Sequence, residues 1–370
     1  MRKLASLQRI RDVQPIEGAD RIEKISVLGW QLVSQKGNFK PNDMCVYFEI
    51  DSLLPIHPAF EFLRKGSYKK MADGSEGFRL KTIVLKGVVS QGLALPLDFL
   101  SEEMGFKIVS VAGDPRWETI ILDEVRNIGV PLLVGEDLTD LLGVVKYEPP
   151  VPACLSGEAI GYVPGWLVTD ETRVQVLEKL LEKYEGQEFY VTEKLDGSSF
   201  TAFIDEEKNL HVCSRNLDLL KNEDNSLWKW AIKNDLEEKM RALDFRACIQ
   251  GEIYGEGIQG NRYQRSSQDV KFFNVIDMEK RTLLNIEDTV MTLMKLSLTL
   301  VPHLGTIKLP NSVSELVEFS KGKSKLNPSA NREGIVLRPL QTSIDTSYDT
   351  AHSRVSFKVI NPEFLLDGGD

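Results

Sequence analysis

The chain has 370 residues, 42% of them hydrophobic and 27% charged, an ordinary globular composition with room for two or three domains. Its net charge of −10 argues against nonspecific coating of nucleic acid, although local rather than total charge decides phosphate binding. No apolar run reaches the roughly 20 residues of a membrane span, the start MRKLASLQRI lacks the apolar core of a secretory signal, and the cysteines and histidines have no zinc-site spacing. The expectation is an intracellular, cytoplasmic chain with reduced thiols, away from membranes.

Residues 1–104 read as β-rich. Short alternating runs occupy 21–35 (Ile22, Ile25, Val27; Trp30, Leu32, Val33), and Gly37-Asn38 and Pro41-Asn42-Asp43 mark turns. Dense strand patterns follow at 44–51 and 78–85, and 93–97 could close the sheet. Short strands with this punctuation predict a small OB-like barrel. The stretch 64–86 carries Arg64, Lys65, Lys69, Lys70, Arg79, Lys81 and Lys86 against only Asp73 and Glu76. Arg79 and Lys81 fall on one strand face, with Lys86 continuing it past a possible bulge. These three are the candidate nucleic-acid contacts.

Residues 105–147 carry only strand or helix fragments and are read as a connecting segment. The run Glu148-Pro149-Pro150-Val151-Pro152 marks a domain boundary, so the second domain spans 148–370. Steps of three and four (Val174, Leu177, Leu180, Leu181, Tyr184) predict a helix over 169–184, capped by Thr169 or Asp170. A half-buried strand at 188–192 then leads into Lys194-Leu195-Asp196-Gly197, a lysine, an acid and a glycine able to turn the backbone sharply. Next come a hairpin at 200–214, an amphipathic helix through Leu227, Ala231, Leu236, Met240 and Leu243, and strands at 247–254 and 271–278. Helices at 286–298 and 313–320 and strands at 334–338 and 354–360 complete an α+β domain with antiparallel sheets and flanking helices. A second acid-free basic run comprises Lys321, Lys323, Lys325 and Arg332.

A Lys-x-Asp-Gly turn alone is a weak signal. Charged residues also interrupt the apolar strands that follow it: Glu252, Asp277, Glu333 and Lys358. Charges inside strands face solvent or belong to a site. Lys194-Leu195-Asp196-Gly197 resembles motif I of the covalent nucleotidyltransferases, the ligases and mRNA capping enzymes. Ser214-Arg215-Asn216, Gly251-Glu252-Ile253, residues 273–277, Glu333-Gly334-Ile335-Val336 and Ser356-Phe357-Lys358 resemble motifs Ia, III, IIIa, IV and V. The first domain resembles the OB module preceding the ligase domain of the Deinococcus/Naegleria-type nick-sealing RNA ligases, through Gly37-Asn38-Phe39, residues 47–52, Ser90-Gln91-Gly92-Leu93 and the bridge 145–150. Thr169-Asp170-Glu171-Thr172-Arg173-Val174-Gln175 carries the same likeness.

The resemblance implies an ATP-dependent RNA ligase, using Mg²⁺ or Mn²⁺ and acting as a monomer on nicked RNA or an RNA-containing duplex. Lys194 would attack the ATP α-phosphate and Lys358 would stabilise the charge that grows there. Glu193, Arg215, Glu252, Ile276, Asp277 and Glu333 complete the implied nucleotide site, with Asp277 fixing Arg215 or the ribose. Asp196, Glu252 and Glu333 would hold the metal through its waters. Three positions depart from the pattern: Ser356 stands where motif V usually has a lysine, Ile276 where many ligases have an aromatic ring, and Val168 where relatives often have a lysine. A DNA ligase or a capping enzyme is the alternative, but either should carry an OB domain after motif V, and only about a dozen residues follow Lys358. An OB-type RNA-binding protein with a degenerate ligase domain is the non-enzymatic alternative.

Overall fold

The strand at the centre of the first sheet, Ala5–Pro15, is one that periodicity does not reveal. Its first residues are buried on both faces, and a register shift between Ile10 and Asp12 breaks any alternation. Ser6 and Gln8 are tolerated inside because the Gln8 amide donates to Ser6 Oγ at 3.0 Å. The computed structural model describes residues 2–71, 74–110 and 119–368. It divides into two units, residues 1–150 and 151–369.

In the first unit the sheet runs Leu93–Pro96, Met44–Phe48, Ala5–Pro15, Ile22–Val27, Trp30–Gln35. A second sheet runs Val145–Lys146, Ser52–Pro55, Glu76–Arg79, Tyr68–Lys70. Phe48 packs edge-on against Phe60, with centroids 5.6 Å apart, in a core that also takes Leu7, Phe78 and Phe99. The pattern at 78–85 is two strands rather than one: Glu76–Arg79 lies in the second sheet, while Ile83–Leu85 pairs with Val88–Ser90 as a hairpin. Lys86 (φ 50°) and Gly87 (φ 78°) make the positive-φ turn that fits the twist of such a hairpin. In the stretch read as a connector, Lys107–Ser110, Thr119–Asp123 and Ile128–Pro131 form a three-stranded sheet. Ile121, Leu138, Leu141, Leu142 and Val144 enter the first unit's core, and residues 111–118 of that stretch lie outside the described residues.

The second unit has two sheets. The seven-stranded one runs Ala159–Tyr162, Leu217–Leu219, Leu210–Cys213, Ser198–Ile204, Ala247–Tyr254, Asp269–Asp277, Thr282–Leu283. The five-stranded one runs Thr172–Arg173, Phe357–Ile360, Gly334–Pro339, Glu188–Lys194, His303–Lys308. Trp228, Trp230, Leu236, Met240 and Leu293 from helices Ser226–Lys233, Leu236–Arg241 and Ile286–Lys295 share one core with Phe200, Ile249 and Phe272. The amphipathic helix expected through 227–243 is therefore two, because Asp235 adopts a left-handed conformation (φ 51°) between them. The helix expected from 169 begins only at Glu178. Thr172–Arg173 is drawn off to pair with Phe357 and Lys358, and Val174–Val176 forms a 3₁₀ turn, whose three-residue repeat keeps Val174 and Leu177 on one apolar face. Glu188–Lys194 is buried on both faces from Phe189 to Glu193, not half-buried: one face packs Phe189 and Val191 into a core with Leu180, Leu181 and Leu316, and the other, with Tyr190 and Thr192, is covered as well. Among the described residues no helix is long and apolar enough to cross a membrane.

Candidate active site

The Lys-x-Asp-Gly turn is where the chain passes from one sheet of the second unit to the other. Lys194 ends a strand of the five-stranded sheet, and Ser198 begins one of the seven-stranded sheet. Gly197 has no space for a side chain: a Cβ there would press into the Ile253 carbonyl oxygen and lie 2.8 Å from Glu252 Cγ. Leu195 anchors the turn among Tyr254, Tyr263 and Val301, and the Asp196 N–H donates to Tyr263 Oη at 2.6 Å. Gly197→Ala is expected to destabilise the second unit by about 1–3 kcal/mol, since backbone must shift to admit the methyl group. Thermal unfolding checks this, and an unchanged midpoint would contradict the packing described.

The turn holds Lys194 against acids from both sheets. Its ammonium donates to Glu333 Oε1 at 2.7 Å, with Glu333 immediately preceding the neighbouring strand Gly334–Pro339. Glu252 lies opposite Ser199 in the other sheet. Burial alone would depress the lysine pKa, but Glu333, Glu252 and Asp196 outweigh it and the net shift is upward. Burial first, then Glu333, pushes Asp196 up to about 7, against the pull of Lys194 and of Arg262, whose Nε lies 3.4 Å from it. Burial, with repulsion from Glu333 and Asp196, pushes Glu252 up to about 8. The second oxygen of Glu333 is buried without a hydrogen-bond partner. Three crowded carboxylates facing one lysine make a pocket short of positive charge, and hard oxygens suit a small divalent cation. Among the described residues no group of three His, Cys, Asp or Glu is placed to ligate a metal directly.

A second constellation brings Lys358 and Arg215 together through Asp170. Lys358 Nζ lies 3.2 Å and Arg215 Nη2 3.4 Å from its carboxylate. Burial works against the Asp170 charge, but these two cations prevail and hold its pKa down to about 2. The segment carrying it is pinned between the sheets: Thr169 Oγ1 and Ser199 Oγ are 2.9 Å apart, and Glu171 accepts from Arg338 at 2.8 Å. Arg338, itself buried, also donates to Ser356 Oγ at 3.0 Å and to the Phe273 carbonyl at 3.1 Å. The serine standing where a lysine was expected is thus the acceptor of a buried arginine.

The remaining expected residues are placed as follows. Glu193 projects to the opposite face from Lys194, is buried, and accepts from the Lys325 N–H at 2.8 Å, while its other oxygen has no hydrogen-bond partner and burial raises its pKa. Ile276 packs with Phe203, Cys213, Cys248 and Leu167. Asp277 does not reach Arg215. Its carboxylate closes its own turn, accepting from the Glu279 and Lys280 N–H groups and pairing with Lys280 at 3.0 Å, so Arg215 is held by Asp170 instead. In the first unit, Lys81 and Lys86 are exposed, but Arg79 is buried with its guanidinium 4.0 Å from the Tyr147 ring centroid. Arg262, Tyr263 and Arg338 lie outside every motif, and Asp170, although within the run 169–175 that carries the family likeness, shows no role in the sequence because helical periodicity reads it as a cap.

A family model described as RNA ligase matches residues 187–360, and one described as an OB-fold domain matches residues 4–97. No curated protein sequence matches the chain. Among solved structures the chain is similar to a Naegleria gruberi RNA ligase mutant with ATP and Mn, at 33% identity and TM-score 0.83 over 100% of both chains. It is likewise similar to the Naegleria gruberi RNA ligase with PPi (33%, TM-score 0.83, 99% of both chains). A further mutant of that ligase, with AMP and Mn, gives 33% and TM-score 0.84 over 99% of both.

Proposed function

This chain belongs to the ATP-dependent RNA ligase family, and from that premise we propose that it seals 3′-hydroxyl/5′-phosphate nicks in duplexes with RNA at the 3′-hydroxyl end. The observation that carries the reading is the Lys194 ammonium set 2.7 Å from Glu333 within a cluster of buried acids, beside a second cluster of cations. Lys194 loses a proton and its Nζ attacks the α-phosphorus of ATP. The bond to the bridging oxygen breaks, pyrophosphate leaves, and AMP remains on the lysine as a phosphoramidate. A 5′-phosphate oxygen then displaces Lys194 to give an AMP-capped end, and the 3′-hydroxyl displaces AMP to form the phosphodiester.

Lys358 and Arg215 are the cations to receive the nucleotide's phosphate oxygens, exchanging Asp170 for them. Ile276 and Asp277 are retained as nucleoside contacts, while Glu193, whose side chain faces away from Lys194, is proposed to hold the nucleotide-bearing turn from behind through the Lys325 N–H. Asp196, Glu252 and Glu333 fit a divalent cation held through its waters, and the Naegleria relative has Mn with its ATP. Such an ion supplies positive charge to the α-phosphate and lowers the pKa of the lysine. Lys81 and Lys86 are proposed to serve RNA binding by the OB module, with Arg79, buried against Tyr147, shaping the sheet that leads to them.

The assignment is tested with α-labelled ATP and GTP, followed by nicked duplexes bearing RNA or DNA at the 3′-hydroxyl end. Lysine labelling from ATP alone, and sealing that requires RNA at that end, are expected. Labelling from GTP, or equal sealing with DNA, contradicts the proposal.

The acid cluster also predicts a pH dependence of stability. In the unfolded chain Asp and Glu lose their protons near pH 4, whereas in the folded protein Asp196 and Glu252 keep theirs to about 7 and about 8. Between these limits the folded state binds more protons than the unfolded, so this cluster's contribution to stability falls as pH rises. The thermal midpoint is expected to drop from pH 5 to pH 8, less so in Glu252→Gln, and Mn²⁺ is expected to restore more at pH 8 than at pH 5. A metal increment independent of pH contradicts this.

A further inference from the structure

The acid-free basic run of the second unit has no role in the lysine chemistry above. Its backbone is built as a rigid strap over the nucleophile's turn. The Lys325 N–H donates to Glu193, next to Lys194, and Leu326 packs against the group holding Leu195. The Asn327 amide donates to the Arg262 carbonyl at 2.9 Å, and Arg262 in turn contacts Asp196. The strap is closed by a bridge between Lys323 and Asn331, and Arg332 donates to the Phe319 and Ser320 carbonyls. Within it the side chains alternate: Ser324 and Asn327 are buried, while Lys323 and Lys325 are exposed. Among the described residues neither ammonium forms a salt bridge, and Lys323 donates only to the neutral Asn331 amide. Of the acids around the strap, Glu318 pairs with Lys321, Asp367 accepts from Asn331, and the buried Glu193 meets the Lys325 charge only through space.

We propose that this strap grips the phosphodiester backbone of the RNA strand beside its reacting end, with Lys323 and Lys325 as the phosphate contacts; the proposal rests on the ligase reading. Exposed lysines on a fixed loop next to the nucleophile offer point charges to a polyanion at little conformational cost. Glu193 and Lys194 project to opposite faces of their strand, so the strap lies across that strand from the reacting ammonium. That position suits phosphates flanking the joined end rather than the triphosphate of ATP.

The test compares the full chain with Lys323→Gln/Lys325→Gln and Lys323→Arg/Lys325→Arg. In the glutamine variant, label transfer from α-labelled ATP is expected to stay within about twofold in rate and half-saturating ATP. Its half-saturating concentration for a nicked RNA duplex rises about tenfold, and the salt dependence of duplex binding loses a slope of about 2, one per lysine. The arginine variant keeps both, and Lys229→Glu, on the helix Ser226–Lys233 that packs on the seven-stranded sheet, changes neither. An unchanged duplex requirement and salt slope overturns the proposal, as does a rise confined to half-saturating ATP, which would make the strap a triphosphate site. Failure of the unaltered chain to become labelled is a distinct result, and it removes the ligase reading itself.

Discussion

Lys194→Ala is expected to abolish labelling of the protein by α-labelled ATP, and sealing with it, a fall of at least about 10³-fold to the detection limit. The size follows from the chemistry: the methyl group that replaces the amine cannot form the phosphorus–nitrogen bond, and no other lysine ends at that turn. Lys358, the other lysine assigned to the site, is held on Asp170 at 3.2 Å in the second constellation. The variant also gives a way to separate lost chemistry from lost fold. Joining a nick whose 5′ end already carries AMP does not require the lysine to attack, so Lys194→Ala is expected to retain measurable activity on that substrate. Normal labelling of the variant would remove Lys194 from the mechanism. Loss of both activities with an intact thermal transition would give it a further role in the last step.

The parts of this site that were legible in the sequence are those where one residue type at one spacing has few structural excuses. A lysine, an acid and a glycine at a strand end, followed by Glu252, Glu333 and Lys358 inside apolar strands, marked the reaction centre. The geometry adds the reason those charges are tolerated, since Lys194 ends one strand, Glu333 immediately precedes the strand paired with it in the same sheet, and Glu252 reaches them from the other sheet. What was illegible depends on long-range pairing. Asp170 read as a helix cap because the apolar steps after it are helical, yet Thr172–Arg173 is captured by the Phe357–Ile360 strand and the helix starts later. Asp277 read as a ligand of Arg215 because it ends a strand of charged motif residues, yet the tight turn after it supplies enough N–H groups to satisfy it locally. Arg79 read as a surface cation because alternation puts it on the Lys81 face. The chain changes sheets after it, and Tyr147 covers the guanidinium. In each case a local pattern was overridden by a partner more than 60 residues away or by turn geometry that side-chain periodicity does not encode.

Glu333→Gln is the second large effect, and it should differ in kind from loss of the nucleophile. The amide oxygen can still accept from Lys194, so the ammonium remains positioned, but the charge closest to it is gone. Glu333 is the largest electrostatic contributor holding the lysine pKa up, and its removal lets Lys194 shed its proton at lower pH. The acid limb of the adenylation rate is therefore expected to move to lower pH. The same charge also raises both Asp196 and Glu252, so those acids ionise more readily in the variant and retain part of the cation site. The maximal rate nonetheless falls by about 10²–10³-fold, the usual cost of removing one element of a preorganised charge-stabilising site, and the Mn²⁺ concentration for half-maximal labelling rises. Because the nucleophile is freed as its cation partner is weakened, the deficit relative to the unaltered protein should be smallest at low pH with excess Mn²⁺ and grow as pH rises. Single-turnover labelling across pH and Mn²⁺ concentration measures both displacements. An acid limb that stays in place would mean that Glu333 does not set the proton affinity of Lys194, and an unchanged Mn²⁺ requirement would mean that it takes no part in holding the cation.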